Sequence, residues 1–247
     1  MKTIKATIPV ILGLLLAATP LKAQPSGEEI MDRIDANMSA DTRYVKSKMI
    51  IHGPRASRTI ESESWAKGES SFTEYIAPAR EKGTRMLKLE DKLWIFSPST
   101  DRTIQISGHM LKQSVMGSDL SYEDMMDDPN LSNKYDALVT GSETCNNTAC
   151  WVVELHARSA EVAYQMRKLW VDKQRYIPLK EELYAKSGKL LKETELSDIQ
   201  KHGVRWYPTK IIFRDMLKQG DGTEFIVEEI RFDVELPDHL LTKASLR

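Results

Sequence analysis

The chain has 247 residues, with 35 basic and 36 acidic side chains and a formal net charge of −1. This near-neutral balance, without a basic block or a basic-aromatic motif, argues against nucleic acid as a partner. The length suits a single large β domain with a sizeable core.

The first 23 residues have the layout of a secretory signal peptide. Lys2 and Lys5 precede an apolar stretch from Ile8 to Ala18, and Leu21-Lys22-Ala23 provides a cleavage point. The apolar stretch is too short to span a bilayer, which takes about 20 residues. We therefore expect a signal peptide over residues 1–23, with cleavage after Ala18 as an alternative, and one exported, soluble domain over residues 24–247.

The mature chain is predicted to begin with an amphipathic helix from Pro25 to Met38, capped by Ser26. Beyond this helix, short apolar segments alternate with turn residues in the rhythm of an antiparallel sheet. Some segments, such as Leu93 to Phe96, are apolar on both faces, which indicates a sheet that is covered outside or curled around an interior. The sequence thus predicts a mainly β protein in which a few helices lie against the concave face of a curved sheet.

A methionine-rich stretch from Gly108 to Asp128 interrupts the series of strands. It is too apolar for a solvated loop, and Gly117 and Ser118 break it too early for one long helix. Two readings stay open, a mobile flap over an apolar cavity or a plain connection packed on the sheet. In the first reading, the flap residues are Met110, Leu111, Val115, Met116, Gly117, Leu120 and Tyr122, followed by an acidic run from Glu123 to Asp128.

The two cysteines, Cys145 and Cys150, enclose a turn-like Asn-Asn-Thr-Ala segment. In an oxidising compartment such a pair is expected to form a disulfide that pins a hairpin. A metal site would need further ligands, and a redox role would more often show C-x-x-C.

The sequence offers no constellation for catalysis. The five histidines lack metal-ligand spacing, and the common nucleophile and phosphate-binding motifs are missing. The acidic run from Glu123 to Asp128 lacks the ladder of a calcium loop. We therefore expect no catalytic residue, no metal and no cofactor, and a protein that is not an enzyme; an unrecognised hydrolase is the remaining reading.

Several segments together resemble a known family. They are Lys82 to Leu89, Leu93 to Pro98, Arg102 to Ser107, Met116 to Asp124 and Trp206 to Lys210. Their order resembles the outer membrane lipoprotein-sorting group of the LolA/LolB-like superfamily, in which a W-x-(Y/F)-x-P strand end and an Arg-rich strand precede a G-S-D-(F/L)-S-Y-(E/D)-D signature. The resemblance covers essentially the whole mature chain.

The resemblance implies a half-open antiparallel β-barrel of about eleven strands, with helices plugging its concave face and acyl chains held in an apolar interior. Arg85 and Arg102 are the candidates for an arginine that holds the lid. The expected cavity liners are Leu87, Leu89, Trp94, Phe96, Trp151, Val153, Leu169, Phe213 and Phe232.

Two functions are carried forward. The first is a monomeric periplasmic carrier, in a Gram-negative-type envelope, that moves a lipid or lipoprotein toward the outer membrane, with an RND-type or other inner-membrane transporter as partner. The second is an envelope sensor or adaptor that uses the same fold, with the acidic run from Glu123 to Asp128 as its contact surface.

Overall fold

One antiparallel sheet of 13 strands runs through the protein, seen in a computed structural model that describes residues 24–53, 55–127 and 130–247. The spatial order is β6-β5-β4-β3-β2-β1-β13-β12-β11-β10-β9-β8-β7, so β6 and β7 form the two edges. The strands are β1 (Thr42–His52), β2 (Ser57–Lys67), β3 (Ser70–Ala77), β4 (Arg85–Leu89), β5 (Lys92–Ser97), β6 (Arg102–Ile106), β7 (Tyr135–Cys145), β8 (Thr148–Ala157), β9 (Met166–Asp172), β10 (Pro178–Tyr184), β11 (Leu190–His202), β12 (Arg205–Asp215) and β13 (Thr223–Phe232).

The mainly β, open antiparallel architecture is confirmed, with 13 strands where the resemblance implied about eleven. The remaining elements are short. They are the helices α1 (Gly27–Met38) and α2 (Tyr122–Met125) and the 3-10 turns Gly108–Lys112, Val115–Gly117, Leu131–Asn133 and Lys243–Leu246. The predicted signal peptide, residues 1–23, and Asp128 lie outside the described residues.

Helix α1 covers one end of the inner face, which we define as the face of the sheet toward α1. Ser26 caps the helix as predicted, since the Glu29 N–H donates to its Oγ at 3.0 Å. The apolar stripe Ile30, Met31 and Ile34 is fully buried against side chains of β8 and β9. A closed apolar core therefore forms at this end.

The outer face of β3 to β5 is covered by the C-terminal tail. Phe72, Leu87 and Trp94 are opposite one another across these strands, and all three are buried. The tail residue Leu246, 1% exposed, packs against them with help from Leu240. These strands are apolar on both faces because each face has its own cover.

The predicted disulfide is wrong, since Cys145 and Cys150 are both free thiols. Asn146 and Asn147 form a two-residue turn with positive φ at both positions, and the register then pairs Cys145 with Thr148. Cys150 pairs with Glu143, so the cysteines are diagonal neighbours. Diagonal positions hold side chains about 7–8 Å apart, whereas a disulfide needs Cβ atoms about 4 Å apart.

In the part of the chain that the structure describes, none of the helices has the length and apolar character needed to cross a membrane.

Candidate functional site

A cavity of about 280 Å³ lies between the inner face and residues 108–127, which we call the flap. Most of its floor belongs to β10 to β13, and the flap forms its roof. The apolar lining consists of Leu120, Met125, Leu183, Ile211, Phe213 and Phe225. The polar lining consists of Asp124, Asp127, Tyr164, Arg167, Glu181, Lys192 and Thr194. The site is therefore amphipathic, with an apolar floor beside a charged wall.

A groove of about 620 Å³ adjoins this cavity. Leu120, Tyr164 and Lys192 line both spaces, so these three side chains stand at the boundary between them. Movement of the flap, which carries Leu120, would join the groove to the cavity.

The apolar side chains of the flap pack on the inner face. Val115, 2% exposed, and Leu120, 8% exposed, belong to a buried cluster with β1, β2 and β3. Met116 and Tyr122 are packed against that cluster, and Met110 and Leu111 pack against a second cluster formed by Met86, Leu93 and Ile106. The flap is thus a packed cover in this structure.

Gly117 lies at the solvent side of the flap with φ +73°, a left-handed backbone that suits glycine. The guanidinium of Arg58 donates a hydrogen bond to the Met116 carbonyl beside it. A side chain at Gly117 would approach Arg58 Nη2 to 2.9 Å. Glycine here keeps both the turn and the arginine contact.

Asp119 anchors the flap to β12 and β13. The Thr223 hydroxyl donates to Asp119 Oδ2 at 2.6 Å, and the Asp215 N–H donates to Oδ1 at 3.1 Å. The Asp119 N–H in turn donates to Thr223 Oγ1 at 3.0 Å. Because Thr223 is 0% exposed, its hydroxyl depends on this partner.

Asp124 anchors the next part of the flap. It forms a capping box with Ser121 at the start of α2, where the Ser121 N–H donates to Asp124 Oδ2 at 2.6 Å. The same carboxylate accepts a hydrogen bond from Tyr164 Oη at 2.5 Å and forms an ion pair with Lys192 of β11. One carboxylate therefore joins the flap's own fold to the charged wall.

Arg167 of β9 is the centre of the charged wall. It is 5% exposed and forms ion pairs with Asp127 of the flap and with Glu181 of β10, the latter at 3.1 Å. Its Nε donates to Tyr135 Oη at 2.9 Å, and its guanidinium lies 5.5 Å from the ring centre of Tyr164. A buried arginine with these partners is fixed in position.

The two carboxylates beside Arg167 respond to burial differently. Burial opposes ionisation of Asp127, yet Arg167 and Lys134 together hold the pKa of this carboxyl below its ordinary value. Burial raises the pKa of Glu181, although Arg167 opposes the shift. The flap carboxylate is thus the better stabilised anion of the pair.

The nine predicted cavity liners do not come together. Phe213 lines the cavity. Trp151, Val153 and Leu169 are on the inner face within the core beneath α1. Phe232 packs with Tyr207 in another inner cluster, at the end of α1. Leu87, Leu89, Trp94 and Phe96 are on the outer face with the C-terminal tail.

Within the described part of the chain, neither predicted lid-holding arginine forms a hydrogen bond or an ion pair with the flap. Arg85 projects to the outer face, where it donates to the Ser245 carbonyl at 3.4 Å and to Glu74 at 3.5 Å. Arg102 is an exposed residue of the edge strand β6. The arginines that hold the flap are Arg58 and Arg167.

Sequence reasoning missed Arg167, but its strand carried a usable signal. Along β9, Arg167 lies on the same face of the sheet as Leu169 and Val171, and all three are buried, whereas Lys168 lies on the opposite face. A basic residue in phase with two buried aliphatic residues indicates an inward-pointing charge that needs a partner. Among the described residues, no group of three or more His, Cys, Asp or Glu side chains is placed to hold a metal ion.

Comparison with known proteins gives one family match and a consistent set of folds. A family model described as "Uncharacterized protein" matches residues 67–247. No curated protein matches the chain significantly.

Three solved structures share the fold over most of their length. A DUF1329 family protein from Desulfovibrio piger is 24% identical with a TM-score of 0.81, covering 90% of this chain and 98% of its own. An outer membrane lipoprotein-sorting protein domain from Vibrio parahaemolyticus is 24% identical with a TM-score of 0.77, covering 89% and 97%. A LolA superfamily protein from Nitrosomonas europaea is 25% identical with a TM-score of 0.75, covering 90% and 100%.

Proposed function

Because this chain belongs to the family matched over residues 67–247 and has the fold of the LolA superfamily, we propose that it is a carrier of acyl chains. The cargo is a lipid or the lipid part of a lipoprotein, buried on the inner face and released by movement of the flap. The cavity beneath the flap is the observation that supports this function.

The volume of the cavity limits the length of acyl chain that fits beneath the closed flap. At about 30 Å³ for each water-sized group, 280 Å³ accommodates roughly nine such groups. If each group is a methylene of an acyl chain, burial at about 0.8 kcal/mol for each methylene contributes about 7 kcal/mol before the costs of binding. A 16-carbon chain is longer than the closed cavity, so a full chain requires displacement of flap residues such as Leu120 and Met125.

Export places this carrier in the periplasm of a Gram-negative-type envelope. The proposal includes removal of residues 1–23 as a signal peptide and transfer of cargo toward the outer membrane. An inner-membrane transporter, of the RND type or another, is the proposed donor. The carrier acts as a monomer and without catalysis, since its work is the reversible burial of an apolar chain.

Native mass spectrometry of the protein purified from the periplasm tests this function. We expect a bound acyl lipid, and we expect its loss from a Leu183→Trp variant, in which the indole fills the cavity. Leu138→Trp is the matched control, because Leu138 is 59% exposed on β7. Circular dichroism checks that both variants fold. A protein that never carries lipid and takes up no acyl probe would end the carrier proposal.

The sensor or adaptor reading loses the contact surface on which it was based. Asp124 and Asp127, which belong to the acidic run, are turned inward and paired with Lys192 and Arg167. A partner that recognises this run would first have to detach the flap from the sheet. We therefore retain the carrier as the function that the geometry supports best.

A further inference from the structure

The flap is held to the sheet by basic side chains. Five of them, on strands β2, β4, β9 and β11 and on the turn between β12 and β13, donate to flap carboxylates, carbonyls or hydroxyls. They are Arg58 to the Met116 carbonyl, Lys88 to the Met126 and Asp127 carbonyls, Arg167 to Asp127, Lys192 to Asp124, and Lys218 to Ser114 and to the Ser118 carbonyl.

The charge of the flap complements these donors. Residues 108–127 contain four acidic residues and one lysine. Two of the acids, Asp124 and Asp127, point into the cavity wall. The flap thus presents two carboxylates to cations of the sheet, above an apolar floor.

Three of the cations on the sheet are well buried. Arg167 is 5% exposed, Lys88 is 6% exposed, and the side chain of Lys192 is 13% exposed. Glu181, also on the sheet, stays beside Arg167 wherever the flap is. Of these three cations, Arg167 and Lys192 line the cavity. With the flap lifted, the sheet side of the cavity therefore keeps two cations and one carboxylate, which leaves an excess of positive charge.

We propose that the cavity selects an anionic amphiphile, whose phosphate or carboxylate head takes the places of Asp124 and Asp127 when the flap lifts. The flap carboxylates then act as an internal substitute for the head group. A neutral lipid would leave Arg167 and Lys192 without their flap partners beside an apolar chain, and such charges are costly. An anionic head restores the lost ion pairs, while its chain lies along Leu183, Ile211 and Phe213. This inference deepens the proposed carrier function and rests on it.

The proposal is tested by fluorescence titration of the full mature protein with cis-parinaric acid and with its methyl ester at pH 7.5. The two probes share one chain and differ in the charge of the head. We expect the acid to bind at least tenfold more tightly than the ester. Equal affinities would overturn the selection for anions while leaving the carrier function intact. Failure of both probes to bind would remove the carrier function as well.

Charge variants on the two sides of the cavity should move the acid-to-ester affinity ratio in opposite directions. Lys192→Gln removes a cation from the sheet and should lower the ratio at least threefold. Asp124→Asn removes the competing flap anion and should raise the ratio at least threefold. Lys210→Gln is the matched control, because Lys210 lies on the outer face and pairs with Glu224 at 3.0 Å.

A flap that only covers an apolar cavity would change both probe affinities in proportion, so an unchanged ratio in the Lys192→Gln and Asp124→Asn variants refutes the proposal. If Lys192→Gln fails to fold, Asp124→Asn decides alone, since it leaves every cation in place. Displacement of bound parinaric acid by palmitate or by lysophosphatidylglycerol then tells the head groups apart. The compound that displaces the probe at the lower concentration identifies a carboxylate or a phosphate head.

Discussion

The Asp119→Ala substitution should loosen the flap from β12 and β13. It removes the acceptors of the Thr223 hydroxyl and of the Asp215 N–H. A buried group left without its partner costs about 1–3 kcal/mol, so the two together cost about 3 kcal/mol. At 1.4 kcal/mol for each factor of ten, opening of the flap becomes about a hundredfold more frequent.

Hydrogen exchange measures this opening at amides within the flap. The Val115 N–H donates to the Leu120 carbonyl at 2.8 Å, and the Tyr122 N–H donates to the Gln113 carbonyl at 3.1 Å. We expect protection of both amides to fall about a hundredfold in Asp119→Ala. Asp136→Ala is the matched control, since Asp136 forms an exposed pair with Arg158 that is worth at most about 1 kcal/mol.

A double substitution checks the physical reason. Because Thr223→Val and Asp119→Ala each break the same hydrogen bond from the Thr223 hydroxyl to the Asp119 carboxylate, the double variant should be about 1 kcal/mol more stable than the sum of the two single effects predicts. Strict additivity of the two effects would show that the Thr223 hydroxyl finds another partner. A change of less than threefold in flap protection for Asp119→Ala would refute the role of this residue as an anchor.

Three further predictions concern other parts of the protein. Asp127→Asn should lower the unfolding free energy by about 3 kcal/mol at pH 7, because it breaks a buried ion pair with Arg167. Although burial opposes it, Arg167 and Lys134 hold the pKa of folded Asp127 below its ordinary value, so the stability it contributes is lost as the pH falls through this depressed pKa, and denaturant titrations of variant and parent should converge there. Leu246→Ala should cost about 3 kcal/mol in stability yet leave parinaric acid affinity unchanged, since Leu246 packs on the outer face. Burial, with a smaller contribution from Cys145, raises the pKa of Cys150 to about 11, so a thiol reagent should modify Cys150 at pH 8 only after unfolding.

The fold could be predicted because its signals are local. The Ser26 cap, the apolar stripe of α1 and the alternation within strands depend on neighbours in sequence. The resemblance to the outer membrane lipoprotein-sorting group rested on such local segments, and the structural comparisons confirm it. The capping box of Ser121 and Asp124 was readable in the same way, since S-x-x-D precedes a helix there.

The candidate site could not be predicted to the same depth, because alternation shows which residues share a face and not what covers that face. Leu87 and Leu89 share a face as expected, but their cover is Leu246, far along the chain. Arg167 was missed since charged strand residues usually face solvent. Its partners, Asp127 and Glu181, become visible only when the flap is placed on the sheet.

The polar anchors, more than the apolar contacts, should set how readily this flap opens for cargo. Leu120 and Met125 bury their side chains on the inner face, and an acyl chain in the same place would bury a comparable apolar area. The free energy gained from burying apolar area is therefore similar in the closed state and in the lipid-loaded state. The free-energy difference between the two states is then set by the hydrogen bonds and ion pairs of Asp119, Asp124 and Asp127, which an apolar chain cannot replace. On the proposed carrier function, cargo would be held and released by changing a few hydrogen bonds, while the sheet beneath stays folded.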